Sequence, residues 1–179
     1  WMGGSFHPHF IFKTTASPSI AHFNRMMTEL GHIQDHLTVN SDLTVLTHVQ
    51  NWFEKFFYQH IPPLPRSENQ LYRLNLAIAE GFTNAVRHAH QELPLETTID
   101  IDLALRDDAI EIRIWDQGKP FNPDTLEEPK PGTLREGGYG WFLLRRLADK
   151  VIYERSQDGR NCLLIVKSGL SSRRVTNTN

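Results

Sequence analysis

The sequence has a single cysteine, Cys162, and no apolar run of the length that a signal core or a membrane span requires. One cysteine cannot form an internal disulfide. Charge of one sign is also lacking, since 19 Lys and Arg oppose 21 Asp and Glu and the formal net charge is -2. No global field would therefore attract nucleic acid or an anionic membrane. We expect a cytoplasmic protein that has no direct nucleic-acid or membrane contacts and recognises its partners locally.

The 179 residues, of which 39% are apolar, suffice for one domain with a sizeable core and an appendage. Residues 1–36 form the expected N-terminal extension, because they are rich in His, Phe and Met and show no clear strand pattern. A helix is predicted there from the cap Ser17 and the following Pro18 to Gly31. We hypothesise that its apolar stripe serves dimerisation or partner docking. The stripe consists of Ile20, Phe23, Met27 and Leu30.

Two further helices are predicted in the main domain, which we place at residues 37–170. After a short strand at 37–39, Ser41 is the expected N-cap of the first of them. The second helix is expected to begin at Ser67, which has capping-box spacing to Gln70, and to end near His90. The remaining residues, 171–179, are expected to form a disordered tail.

Two hairpins are predicted in the second half of the domain. Apolar and polar residues alternate at 98–105 and again at 110–115, on either side of a polar turn. This period of two is typical of an antiparallel hairpin with one solvent-exposed face. A second hairpin is expected where 151–154 and 162–166 flank a turn at 157–160. Together the elements predict an α+β two-layer sandwich, in which a mixed, mainly antiparallel sheet carries its helices on one face.

Glu80, Asn84 and His88 lie four residues apart on the second helix of the domain, so their side chains share one stripe. An Asn carbonyl oxygen suits Mg2+ that already holds phosphate oxygens, and a nearby carboxylate can accept a proton from an attacking hydroxyl or water. Taken alone, however, such a pattern is more typical of the solvated side of an amphipathic helix.

Asp116 ends an apolar strand and is followed after one residue by Gly118. A carboxylate at this edge of the sheet can accept a hydrogen bond from the exocyclic amine of adenine, and a glycine lets a flat base approach the backbone. By itself, Asp-x-Gly is more often an ordinary turn. The segment from 117 to 136 is too long for a simple connection and is expected to act as a lid or a binding element.

Gly137, Gly138 and Gly140, with Tyr139 between them, open the last predicted helix. Glycines permit close approach to phosphate, and the N-terminus of a helix attracts anions. The segment lacks the Gly-Lys-Ser/Thr of a Walker A loop and the strand spacing of a Rossmann site. In isolation it is more often a flexible loop before a helix.

The order of these three segments is more specific than any one of them. It resembles the GHKL ATPase superfamily, which includes gyrase, Hsp90-type chaperones and histidine kinases, and within it most closely the anti-sigma-factor serine/threonine kinases. The resemblance covers residues 37–167 and implies the histidine-kinase-like ATPase fold. Residues 80–89 match the N-box of the family, 116–118 its first glycine box and 137–140 its second.

The resemblance implies ATP and Mg2+ as cofactors and a role for each segment. It implies Asn84 on Mg2+, Glu80 as the catalytic base, Asp116 on adenine, and residues 137–140 around the phosphates. Phosphoryl transfer would then depend on positioning and charge stabilisation.

The same segments imply further nucleotide contacts from Arg87, His88, Gly118 and Tyr139. The family phosphorylates a serine or threonine of a small antagonist protein and sequesters a sigma factor, so these two proteins are the implied partners, together with a second copy of the chain in a homodimer.

One departure from the family concerns the last strand, where Asn161 and Cys162 stand at positions at which superfamily members often have a Thr near the adenine. A function of another class also fits the sequence, namely a non-catalytic binding module in which ATP only orders the lid and a partner surface. The presence of Glu80 favours the kinase over this module.

The ATPase domain of a sensor histidine kinase is a third interpretation. It would need a dimerisation helix pair with an acceptor histidine, but only one short helix is predicted near His22, His32 and His36. Surface histidines are therefore the favoured interpretation. Metal binding by His22 with His7 and His9 lacks a convincing ligand spacing.

Overall fold

A computed structural model describes residues 33–94, 96–106, 108–126 and 139–170. The predicted helix of the N-terminal extension, Gly137 and Gly138, and the tail at 171–179 lie outside these described residues. None of the helices in the described part of the chain combines the length and the apolar character that crossing a membrane requires.

In the described part of the chain, five strands form one sheet in the order β1-β2-β3-β5-β4, and each of the four neighbouring pairs is antiparallel. The prediction of an α+β fold with a mainly antiparallel sheet is confirmed. The strands are β1 (Ile33–Asn40), β2 (Thr98–Arg106), β3 (Ala109–Asp116), β4 (Lys150–Arg155) and β5 (Asn161–Lys167).

Three helices belong to the described residues. They are α1 (Leu46–His60), which follows a 3-10 turn at Leu43–Val45, α2 (Pro65–Asn84) and α3 (Tyr139–Leu147). A π turn, Ala85–Ala89, continues α2, and a further 3-10 turn spans Pro123–Thr125. Because α2 packs on β3 and β5 as well as on α1 and α3, it is the element around which the helix layer is assembled.

The core lies between the sheet and the helices. Alternate residues point into it along 99–103 of β2 and 110–114 of β3 and are at most 1% exposed, which is the alternation that the sequence predicted for a sheet with one covered face. These residues are Ile99, Ile101, Leu103, Ile110, Ile112 and Ile114. Each such side chain stabilises the fold by about 1.5–3 kcal/mol through burial.

Gly81 allows α2 to lie close to the sheet. A Cβ at this position would come within 2.8 Å of both Ile114 Cδ1 and Leu163 Cδ2. Because α2 is held close to the sheet at Gly81, the nearby helix residues Glu80 and Asn84 are held at a defined distance from the strand ends.

The opposite face of the sheet carries polar side chains. His36 Nδ1 lies 2.6 Å from Asp102 Oδ1, and Trp115 Nε1 donates a hydrogen bond of 2.6 Å to Asp102 Oδ2. Arg160 lies over the Trp115 ring at 4.7 Å and pairs with Asp100 at 2.9 Å. The hydrogen bond to Asp102 raises the pKa of His36 above its ordinary value against the opposing effect of burial, so the ring gains charge in this network.

The helix and strand ends differ from the prediction in three places. Strand β1 begins at Ile33, earlier than expected, since its ladder with β2 starts at the pair Ile33 and Leu105. Asp42, not Ser41, caps the turn before α1, because its carboxylate accepts the Thr44 N–H. Ser67 does not begin α2 either.

Ser67 is instead the third residue of α2, and it caps the helix from inside. Its hydroxyl accepts the Leu64 N–H at 2.9 Å and donates to the Leu64 carbonyl at 2.7 Å. The helix therefore begins two residues earlier, at Pro65, which needs no N–H partner in the first turn.

Candidate functional site

Polar side chains and backbone from three parts of the chain meet at the C-terminal end of α2. Glu80 and Asn84 come from the last turns of that helix, Gly140 from the start of α3, and the Asp116 to Gly118 turn from the end of β3. The turn from Asp116 to Gly118 contacts the π turn that follows Asn84. Gly140 packs directly on Glu80.

Gly140 is the second residue of α3 and touches the side chains of α2. A Cβ added there would lie 1.7 Å from Glu80 Oε1 and 3.3 Å from Asn84 Nδ2. The carboxylate of Glu80 thus occupies the space that any larger residue at position 140 would need. The structure places Glu80, Asn84 and Gly140 together, and Tyr139 immediately beside them with its side chain 47% exposed. A carboxylate and an amide therefore face the first turn of a helix.

Arg87 and His88 lie on the π turn, not on a continuing α-helix, and their side chains are exposed. The turn is closed by the His90 N–H, which donates to the Ala85 carbonyl at 2.9 Å, five residues back. α-Helical spacing therefore no longer fixes where His88 points relative to Asn84. Such π turns are frequent at functional sites.

Asp116 is 3% exposed and faces the helix layer with three protein donors on its carboxylate. The Gly118 N–H donates to Oδ1 at 2.9 Å, and the Asn161 side-chain amide donates to the same oxygen at 2.7 Å. The Tyr153 hydroxyl donates to Oδ2 at 2.9 Å. Four lone-pair directions are available on a carboxylate, so one acceptor position is left for a further donor.

Tyr153 and Asn161 were not predicted as site residues. Both lie on the second hairpin, and the register pairs Asn161 directly with Asp116 across the sheet. Burial and the adjacent Asp116 raise the pKa of the Tyr153 hydroxyl far above its ordinary value, so it stays a donor. The only signal in the sequence was the departure from the family pattern at position 161. Asn161 is fully buried and also donates a hydrogen bond of 3.1 Å to the Gly118 carbonyl.

Cys162, the other half of that departure, lies apart from the site. It is paired with Trp115 on the sheet face opposite to the helices. Burial raises the pKa of its thiol to about 12, so the thiol stays protonated and unreactive.

Gly118 brings the turn after β3 onto the end of the π turn. A Cβ at Gly118 would lie 2.4 Å from the Ala89 carbonyl oxygen and 2.7 Å from its Cα, both of which are backbone atoms. Across the same junction, the ring of His90 accepts the Gln117 N–H at Nε2 with a distance of 2.9 Å. The turn and the helix end are therefore in direct backbone contact.

The two glycines at 137 and 138, and residues 127–136 of the expected lid, lie outside the described residues. Within the described residues there is no group of three or more His, Cys, Asp or Glu that could hold a metal ion. The residues that are present fit a cation only in a limited way, since the amide of Asn84 supplies one neutral oxygen and phosphate or water would have to supply the rest.

A cavity of about 570 Å³ shares one residue, Val86 of the π turn, with the segments of this site. It is lined by Asn40, Ser41, Asp42, Leu43, Val86 and Glu96, near the start of α1. None of the residues predicted to bind a nucleotide contributes to it.

Comparison with protein families matches residues 39–167 to the family described as the histidine kinase-like ATPase domain. Among curated proteins, a serine-protein kinase RsbW of Halalkalibacterium halodurans is 36% identical over 102 residues, which is 52% of this chain and 60% of the relative. The RsbW of Oceanobacillus iheyensis is 38% identical over 87 residues, 44% of this chain and 54% of the relative. One from Staphylococcus aureus is 36% identical over 90 residues, 45% of this chain and 57% of the relative. The chain thus spans between 54% and 60% of these relatives.

A solved structure of the RsbU and RsbW domains of a Mycobacterium tuberculosis protein has a similar fold. The TM-score is 0.55 at 14% sequence identity, and the match covers 76% of this chain and 32% of that chain. At this identity the similarity supports the fold alone.

Proposed function

Because the chain belongs to the histidine kinase-like ATPase domain family, we propose that it binds ATP with Mg2+ and transfers a phosphoryl group to a serine or threonine of a small protein. The curated relatives named serine-protein kinase RsbW support this choice of acceptor. The observation that carries the proposal is the contact of Glu80 and Asn84 with Gly140 at the start of α3, together with the buried Asp116, whose turn packs on Ala89 at the end of the π turn.

In this proposal the chain's own residues divide the work. Asp116 accepts a hydrogen bond from the adenine amine at its one remaining acceptor position, and the turn of residues 137–140 surrounds the phosphates. Glu80 takes the proton from the attacking hydroxyl. Asn84 would hold Mg2+ through its amide oxygen, and the ion when bound would neutralise charge on the phosphate oxygens.

Further nucleotide contacts are proposed for residues at the edges of the site. The side chains of Arg87, His88 and Tyr139 are exposed and are proposed to contact phosphate or ribose oxygens, whereas Gly118 contributes only backbone. Anionic phosphate favours the cationic Arg87.

We extend the proposal to the binding partners of the protein and to its cellular location. The phosphate acceptor is an anti-sigma-factor antagonist, the second partner is a sigma factor, and both meet the protein in the cytoplasm, where it forms a homodimer. The apolar stripe of residues 20–30 is proposed to support dimerisation or docking. A truncated chain that starts at Ile33 keeps all of β1. If its oligomeric state in solution equals that of the full chain, the stripe has no role in dimerisation.

The division of roles is tested by two substitutions. Asn84→Ala should abolish Mg-dependent ATP binding in isothermal titration, whereas Glu80→Gln should bind Mg-ATP like the wild type and lose at least about 100-fold in phosphoryl transfer, the usual scale for a proton acceptor. Matched controls are Asn51→Ala on α1 and Glu68→Gln on α2, both exposed on helices away from the site. Equal loss of binding in both site variants would refute the division.

The choice between kinase and binding module is tested with labelled ATP and a candidate antagonist protein. A kinase transfers the label to the antagonist, and a module that ATP only orders never does. Acid stability of the label also decides the acceptor, because phosphoserine survives acid and a phosphohistidine, expected from a sensor histidine kinase, does not. An unlabelled antagonist together with measurable ATP binding would favour the module.

A further inference from the structure

His90 is a buried histidine at the junction of the two halves of the site. It is 5% exposed, and it follows the π turn directly. Ring atom Nε2 accepts the Gln117 N–H at 2.9 Å, while Nδ1 is buried without a hydrogen-bond partner among the residues that the structure describes. An acceptor at Nε2 requires the neutral ring, with its proton on Nδ1.

The bond from Gln117 connects the two segments that carry the proposed ligand contacts. Gln117 lies between Asp116 and Gly118, and the Gly118 N–H closes the turn onto the Asp116 carboxylate. On the other side, the His90 N–H completes the π turn that follows Asn84. The imidazole ring is thus a buried side-chain link between the end of α2 and the turn after β3.

Charges around the ring set its protonation. Burial lowers the pKa of His90 below its ordinary value, and the nearby Asp116 on β3 opposes this shift. Glu92 and Lys119 form an ion pair at the same junction, and both side chains are highly exposed. A protonated ring would present an N–H to the Gln117 N–H, so protonation removes the acceptor and replaces attraction by repulsion.

We propose that His90 is a positioning residue for nucleotide binding, because its neutral ring holds the turn of Asp116 against the end of α2 and protonation of the ring releases that turn. The inference rests on the proposed ATP site. It adds that ATP affinity falls in acid through a residue that does not itself touch the nucleotide.

Three proteins separate this role from mere packing. His90→Phe keeps a buried ring and removes the acceptor, whereas His90→Gln keeps an acceptor near the position of Nε2 and cannot be protonated. The control is His48→Phe, at an exposed histidine of α1. Mg-ATP affinity is measured by isothermal titration from pH 5 to pH 8, with folding at each pH checked by circular dichroism.

At pH 8 we expect wild type, His90→Gln and His48→Phe to bind alike and His90→Phe to bind about tenfold more weakly, the scale of a lost buried hydrogen bond. As pH falls from 8 toward 5 and approaches the lowered pKa of His90, the affinity of the wild type and of His48→Phe should fall relative to that of His90→Gln, with about tenfold as the limit for a fully protonated ring. If His90→Phe does not fold, the comparison of the wild type with His90→Gln decides.

Parallel pH profiles of wild type and His90→Gln would overturn the role of His90 while leaving the ATP site intact. Wild-type protein that is folded and binds no ATP at any pH would instead overturn the proposed function, and the inference with it.

Discussion

At the scale of single residues, the Asp116 carboxylate shows how a buried charge is held in place. Its partners among the described residues are a backbone N–H, an amide and a phenol, so the carboxylate is stabilised there by hydrogen bonds from neutral donors. If one donor is removed, a buried carboxylate oxygen of Asp116 loses its hydrogen-bond partner, and the free energy of unfolding falls.

Tyr153→Phe is therefore expected to lower the free energy of unfolding by about 1–3 kcal/mol, because the Asp116 Oδ2 atom loses its hydroxyl donor. Urea unfolding measures the effect. Tyr72→Phe is the matched control, since that side chain is 71% exposed on α2 and its loss should cost less than about 0.5 kcal/mol. Equal costs for the two variants would mean that the hydroxyl of Tyr153 contributes nothing to holding the carboxylate.

The site residues that the sequence predicted lie in short continuous segments, where spacing along the chain is informative. Glu80 and Asn84 are one helical turn apart, and Asp116 ends a strand with clear alternation. Tyr153, Asn161 and their bonds to Asp116 depend on which residues of two strands lie opposite each other, and sequence alone does not state that register.

At the scale of elements, the contact between α2 and α3 depends on a missing side chain. Gly140 leaves room for the end of the flexible Glu80 side chain, whereas Gly118 leaves room for the backbone of Ala89. A side chain can rotate away from an added methyl group and a backbone segment cannot do so without moving its element. The two glycines should therefore respond differently to substitution.

Gly140→Ala is expected to change the free energy of unfolding by less than about 1 kcal/mol, because alanine favours the helix and Glu80 can swing aside. Phosphoryl transfer should nevertheless fall at least about tenfold, since the carboxylate is no longer where a proton acceptor is needed. Transfer of label to the antagonist and urea unfolding measure the two effects.

Gly118→Ala provides the contrast to that substitution. Its added methyl group meets backbone at 2.4 Å, so unfolding free energy should drop by about 1–3 kcal/mol, as for other overpacked sites. If Gly140→Ala instead lost as much stability as Gly118→Ala and kept full phosphoryl transfer, the proposed catalytic role of the Glu80 position beside Gly140 would be wrong.

The sequence predicted the number and order of these elements but not all of their ends. Alternating and helical periods identified the strands β2 and β3 and the helix α2, because each buries one side against the core. The start of α2 at Pro65 was missed since Ser67 was assigned to the cap, although it bonds back to Leu64 from the third position. No local pattern distinguished the π turn from a continuing α-helix.

At the scale of the whole molecule, the polar face of the sheet makes stability depend on pH. The pKa of His36 is raised, so its contribution is present below the ordinary value of 6.5 and is lost as pH rises through the shifted value. Burial acts to raise the pKa of Asp102, but hydrogen bonds from His36 and Trp115 outweigh it and the net shift is downward. The pair is therefore strongest between the ordinary values of 3.8 and 6.5.

We predict that the free energy of unfolding of the wild type exceeds that of His36→Gln by a larger amount at pH 6 than at pH 8. The two amounts should differ by less than about 1 kcal/mol, because the side chains of His36 and Asp102 are partly exposed. Urea unfolding of both proteins at both pH values gives this double difference. The subtraction is needed because the lowered pKa of His90 acts in the opposite direction and weakens the fold as pH falls. A double difference of zero or of opposite sign would contradict the charged pair.

Across the whole chain, the fold class followed from the alternation of apolar residues, and the family resemblance followed from the order of three motifs. The domain limits at 36 and 170 remain predictions, although β1 includes residues 33–36, which the sequence assigned to the extension. Edge strands such as β1 are harder to identify, since only one neighbour and part of one face constrain their pattern.

The protonated, enclosed thiol of Cys162 has a practical use. Maleimide reagents attack thiolates, and at neutral pH this thiol supplies almost none. A cysteine introduced at an exposed position, such as Tyr72→Cys on α2, should accept a fluorescent dye while the native cysteine stays unlabelled. Single-site spectroscopy of the molecule can thus begin from the natural background, without a cysteine-free variant.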